Sequence, residues 1–144
     1  MAELSLEDFV GRCSLTSISQ LELSGTRSLD AKASSDADPV DPAYGLDIDL
    51  RDADDGFRIR LTTRVEAPQG AIVSQVGAEY AVDALSIRSV SRVILVEFVN
   101  NVALMHILPY TRQSISDISM RVFGAPLLMP IIQRGELSFS GVNE

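Results

Sequence analysis

Between residues 44 and 82, apolar and polar side chains alternate with the two-residue period of strands buried on one face. Tyr44, Leu46, Ile48 and Leu50 are separated by Gly45, Asp47 and Asp49. Phe57, Ile59, Leu61, Thr63 and Val65 are separated by Arg58, Arg60, Thr62 and Arg64. Asp54-Asp55-Gly56 between the two runs is a turn signal, so they predict a hairpin centred on residues 53 and 54. A further strand is expected over about 71–82, entered through Pro68-Gln69-Gly70, with Ile72, Val76, Ala78, Tyr80 and Val82 in phase. An earlier strand over 14–24 is less regular. Leu15, Leu21 and Leu23 share a phase that Ile18 breaks, which predicts a bulge. Ahead of it, Ser5-Leu6-Glu7-Asp8 is a helix start, with a Ser cap and acids at the positive end of the dipole. Gly11 closes a short helix over about 5–11. Residues 25–43 read as a long loop.

After residue 90 the period changes. Residues 91–99 and 101–123 predict helices, with a break or kink at Asn100-Asn101. The first is apolar nearly all round; the second carries Ile115, Ile118 and Val122 on one stripe and Arg112, Gln113, Ser116 and Asp117 on another. Gly124 is a natural helix stop and Pro126 prevents continuation. The tail over 124–144 begins with the extended, apolar Leu127-Leu-Met-Pro-Ile-Ile132. Four strands followed by helices predict an α+β fold, a four-stranded antiparallel sheet with helices packed on one face, as one domain over 1–144.

Charge narrows the partners. Twelve Lys+Arg face twenty Asp+Glu, a net charge of -8. That balance excludes a grip on nucleic acid, which needs clustered bases to replace phosphate counterions. It also argues against docking on an anionic membrane. No basic leader precedes an apolar stretch, and the candidate span Val93 to Leu108 is broken by Glu97, Asn100, Asn101 and His106, so no membrane insertion is expected. The single Cys13 excludes an internal disulfide. A soluble protein of the reducing cytoplasm is the expectation. The acidity is concentrated over residues 30–56, where nine Asp meet only Lys32 and Arg51. Part of it is expected in loops, and part in Asp47 and Asp49, which a hairpin of this register sets opposite Arg60 and Arg58.

Candidate chemistry is sparse. No phosphate-cradling glycine loop, nucleophile elbow or two-His zinc motif is present, so neither an enzyme nor a metal or other cofactor is expected. A Cys13–His106 dyad and a paired-carboxylate site at Asp47 and Asp49 are the remaining catalytic options. Cys13 reads better as a small hydrophobe, His106 as a hydrogen-bonded core or interface residue, and the aspartates as ion-pair partners. Asp52, Asp54 and Asp55 lack the EF-hand pattern and its closing Glu, and read as a solvated turn. The anomaly is apolar excess. Val93–Val99, Val102–Leu108 and Leu127–Ile132 exceed what one side of four strands can cover, which points to an oligomer interface, a groove for unfolded chains, or both.

Leu108-Pro109-Tyr110-Thr111-Arg112-Gln113-Ser114-Ile115, followed by Val122-Phe123-Gly124-Ala125-Pro126-Leu127-Leu128-Met129-Pro130, resembles the SecB family of export chaperones. The Leu46–Leu50 strand and Ala71-Ile72-Val73 fit the family's strand order, and the resemblance covers about residues 12–135. It implies a cytoplasmic homotetramer, a dimer of dimers, that holds unfolded clients without ATP. Val102, Leu104, Met105, Tyr110, Ile115, Ile118 and Val122 would pack between dimers. The client groove would take Leu46, Ile48, Leu50, Ile72, Val76, Leu127, Leu128, Met129, Ile131 and Ile132. Glu22 matches one acidic position used to dock the translocase ATPase, whereas Gln75 stands where a second acid is expected. The Gly-broken stretch 133–144 is too short for the second amphipathic helix of proteobacterial members. In this it is similar to SecB-like chaperones of toxin–antitoxin systems, whose client is an antitoxin tail. The alternative is a non-catalytic adaptor whose apolar excess is buried entirely in its own interface.

Overall fold

In a computed structural model, residues 4–29, 42–129, Leu137 and Phe139 are described. Of the loop expected over 25–43, positions 30–41 lie outside these residues, as do the groove positions Ile131 and Ile132, and its first three residues and its last belong to strands instead. Helix α1 (Leu6–Arg12) is followed by strands β1 (Cys13–Arg27), β2 (Ala43–Leu50), β3 (Gly56–Ala67) and β4 (Gly70–Val82). A 3-10 turn at Ile87–Ser89 leads into α2 (Arg92–Phe98) and α3 (Leu104–Phe123). The strands form one antiparallel sheet in the order β1-β4-β3-β2.

The hairpin register is the one the alternation predicts, with Asp47 opposite Arg60 and Asp49 opposite Arg58. The charges pair differently. Arg60 takes Asp49 at 2.6 Å and reaches Asp47 at 3.9 Å, while Arg58 turns to Glu79 on β4 at 2.5 Å. Arg60 thus forks onto a diagonal neighbour, whereas Arg58 forks onto the residue directly opposite it on its other side, Glu79. Strand β1 corrects the expectation of a single bulge. Its register against β4 slips between Leu15 and Ser17 and again between Gln20 and Glu22. The two slips put Ile18 and Leu23 on the helix-covered face, opposite Ala78 and Ser74, and send Leu21 to the other face, over Gly77.

The expected break at Asn100-Asn101 is instead a π-helical turn over Val99–Ala103. One wide turn is absorbed without ending the helix, so Arg92–Phe123 runs on for 32 residues. By length and composition alone this helix is apolar enough to cross a membrane. Its apolar side, however, lies on the sheet: Phe98, Val99, Ala103, Leu104, Ile107, Leu108 and Ile115 are buried. Gly25 lets α3 approach β1, since a Cβ there would lie 2.8 Å from the Val122 side chain. Gly124 ends α3 in the left-handed conformation, φ 80°, and its N–H returns to the Met120 carbonyl.

Two apolar clusters fill the helix–sheet interface. The larger is built on four rings: Phe57 stacks between Phe9 and Tyr80 at 5.9 and 5.2 Å, and Phe98 meets all three edge-on at 5.0–5.5 Å. The smaller gathers Val65, Ile72, Ile115 and Met129, with Tyr44, Ile118, Phe123 and Leu127 against it. Between them runs a belt of buried hydroxyls. Thr63 and Ser74 face each other in the β3–β4 register, and Thr111 and Ser114 come from α3. Ser74 Oγ lies 3.3 Å from Ser114 Oγ and accepts from Gln20 Nε2 at 3.0 Å. The hydroxyls of Thr63 and Thr111 have no hydrogen-bond partner among the described residues.

Candidate functional site

The catalytic options of the sequence do not assemble. Burial pushes the Cys13 thiol up to about 12, opposite to the activation a Cys–His dyad needs. His106 Nδ1 is engaged by Tyr80 Oη at 2.8 Å, and Tyr80 has its phenol pKa raised by burial. Of the two expectations for His106, its exposure sets aside the core and leaves a hydrogen-bonded surface position at the rim. Asp54 is an anchor. Its carboxylate accepts from Ser86 Oγ, from the Arg88 N–H at 3.0 Å and from the Arg88 guanidinium at 3.3 Å. These bonds hold its pKa below the usual carboxylate range and tie the β2–β3 turn to the β4–α2 connection. No group of three or more His, Cys, Asp or Glu is placed to hold a metal among the described residues.

What the fold does present is a cleft beside α3. After Gly124 the chain folds back along the helix, and the Leu127 N–H donates to Ser119 Oγ at 2.6 Å. Ser119 Oγ in turn donates to the Ser116 carbonyl at 3.0 Å, so its hydroxyl is used in both roles. This brings Leu127, Leu128 and Met129 against Pro109, Arg112, Gln113 and Ser116, around a cavity of about 230 Å³. One wall is apolar and the other polar, the usual make-up of a site that grips by burial and orients by hydrogen bonds. Arg112 Nε is buried there without a hydrogen-bond partner among the described residues.

The positions assigned by resemblance divide by burial. Leu128 is 79% exposed and Leu50 38%. Ile48 and Leu127 are half-buried, and Leu46 and Met129 almost covered. Ile72 and Val76 lie wholly inside this chain, Ile72 in the smaller cluster and Val76 in the larger, so no partner reaches them in this arrangement. Of the positions assigned between dimers, Leu104 and Ile115 are core, each 0% exposed. Val102, Met105, Ile118 and Val122 are half-buried, and Tyr110 is exposed. Phase tells which side of an element faces the layer below, and on α3 that side is used up by the sheet. Glu22 is exposed and sits opposite Gln75 in the β1–β4 register, on the face without helices.

One contact has no precursor in the local pattern. Asn100, in the π turn, holds the main chain of Phe139: the Phe139 N–H donates to Asn100 Oδ1 at 2.8 Å and Asn100 Nδ2 donates to the Phe139 carbonyl at 3.0 Å. Leu137 and Phe139 pack against the larger cluster. The polar pair Asn100-Asn101 between Val99 and Val102 is the sequence signal that could have marked Asn100 as more than a break.

No protein-family model and no curated protein matches the sequence. Solved structures do match in shape. A protein of unknown function from Streptococcus agalactiae aligns over 83% of this chain and 97% of its own at 9% identity, with a TM-score of 0.47, too low to carry an argument. The SecB-like chaperone Rv1957 of Mycobacterium tuberculosis, solved in complex with a ChAD peptide from the HigA1 antitoxin, aligns at 16% identity. That alignment covers 87% of this chain and 94% of that one, with a TM-score of 0.71. The four-stranded antiparallel sheet with its long helix is therefore a SecB-like α+β fold.

Proposed function

We propose that this chain is an ATP-independent, non-catalytic chaperone that holds extended apolar segments of unfolded polypeptides. The observation that carries the proposal is the likeness, over nearly the whole length of both chains, to a SecB-like chaperone solved with a peptide bound. The cleft supports it physically. Apolar burial contributes roughly 25 cal/mol per Å² and has no directional demand, so the exposed Leu128 of the cleft suits clients of varied sequence. Arg112, Gln113 and Ser116 add polar groups for a client's main chain or carboxylates.

Between export and a dedicated antitoxin, we favour the antitoxin. The peptide in the neighbouring structure is of that kind, and Gln75 beside Glu22 halves the acidic pair that a translocase dock requires. We further propose a homotetramer. Leu15 and Leu23 on the edge strand β1, with Tyr110 and Met120 on α3, are each more than a third exposed in the single chain. The same exposure favours the second reading, an adaptor that spends its apolar surface on its own copies.

Light scattering of a chemically unfolded client diluted into buffer separates the two. A holdase suppresses aggregation at about one assembly per client with no nucleotide present. An adaptor assembles identically but leaves the scattering unchanged even in excess, and that result overturns the proposal.

A further inference from the structure

Asn100 makes both hydrogen bonds that a neighbouring strand residue would make to a single partner, one to the N–H and one to the C=O of Phe139. A side-chain amide placed this way reads main chain, which every peptide offers, and ignores sequence. The side chains add a weaker rule. Leu137 and Phe139 are two positions apart, and both pack on the cluster that also takes in Leu95, Val96 and Met105. The π turn supplies the placement. Such turns displace side chains from the helical stripe and recur at functional sites. Here the turn carries Asn100 to a half-buried position while its neighbour Asn101 bonds back to the Glu97 carbonyl at 2.9 Å. A half-buried amide with donor and acceptor both engaged by a segment 39 residues away is a recognition contact, since local capping explains neither bond.

We infer that Asn100 and the adjoining apolar surface form a second peptide site, specific for extended segments of the pattern apolar-x-aromatic, and that the chain's own Leu137 and Phe139 occupy it in the free protein. The occupant lowers the affinity of the site for any external segment, because an incoming peptide must first displace a contact present at high effective concentration. The site deepens the chaperone reading, and only its consequence for clients rests on that reading.

Fluorescence anisotropy with a labelled, capped peptide of residues 134–142 tests it on the full-length chain. Phe139→Gly empties the site in place, and is expected to bind the peptide at least tenfold more tightly than wild type. Adding Asn100→Ala should lose about tenfold of that affinity, about 1.4 kcal/mol. Asn100→Asp keeps the acceptor and loses the donor, so it should fall between the two and serves if the alanine variant does not fold. Equal binding by wild type and Phe139→Gly, or binding indifferent to residue 100, overturns the inference. Aggregation suppression by the same proteins reads the chaperone function separately. If the peptide pattern holds while no variant protects an unfolded client, the site stands and the function fails; if clients are protected without the peptide pattern, the reverse holds.

Discussion

The two apolar clusters beneath α3 lie in one helix–sheet interface, yet they are closed by different means. At the β2–β3 turn end, the closing rings come from α1, β3, β4 and α2, elements whose main chains are already hydrogen-bonded. At the far end, Met129 completes the cluster from an irregular segment that Ser119 holds by one side-chain bond to Leu127. The hydroxyl belt of Thr63, Ser74, Thr111 and Ser114 separates the two sets of buried side chains, and half-buried Tyr44 packs against both. Local opening free energy follows buried apolar contact and backbone bonding. The ring cluster is thus the anchor of the fold, and the Met129 end is the part more easily rearranged.

The sharpest test of that contrast is to remove one residue from each end. Phe57→Ala should cost about 3–5 kcal/mol in urea unfolding, because it empties the centre of the ring cluster. Met129→Ala should cost about 2 kcal/mol, at the low end for a buried methionine, because an irregular segment can settle into the space. Equal costs would mean that the ends are equally rigid. The belt gives a smaller effect of opposite sign. Thr63→Val replaces a buried hydroxyl lacking a partner with a methyl of similar shape, and should raise stability by about 1 kcal/mol. A loss there would mean that the hydroxyl is satisfied after all.

Much of this was readable in advance, and the failures have physical causes. Strict alternation and one turn signal fix the β2–β3 register, since a slip of one residue would turn every apolar side chain outward. Two bulges reset the phase of β1 twice, so Leu21 and Leu23 look alike in sequence and lie on opposite faces. A π turn shifts the stripe without breaking the helix, and Asn100-Asn101 imitates a break. The turn at Pro68-Gln69 sets Thr63 opposite Ser74, a pairing that the expected entry through Pro68-Gln69-Gly70 left open. The strand phase puts Ile72 and Val76 on the side that faces the helices but cannot show how completely that side is covered. The Asn100–Phe139 contact spans 39 residues and has no local signature.

The smallest effect concerns acid, at surface anchors outside both clusters. Asp54 is held below its usual pKa by Ser86 and then Arg88, and Glu79 by Arg58 and then Ser17. A lowered folded pKa means that the unfolded chain binds protons first. Their contribution is complete above the unfolded carboxylate range, about 4, and is lost as pH falls through the folded values. Asp54→Asn should lower stability at neutrality and flatten its fall below about pH 5 in urea melts, so that the two proteins converge in acid. An unchanged acid slope would remove Asp54 as an anchor.

On the proposed function, extended apolar client chain is held on the α3 side, at the Met129 end. Hydrogen exchange with and without an unfolded client reads this directly. The account predicts new protection in residues 124–129 and in β2, with β3 and β4 amides beneath the rings already slow and unchanged. Protection gained on the charged face around Glu22, Gln75 and Arg58, or nowhere, would contradict it.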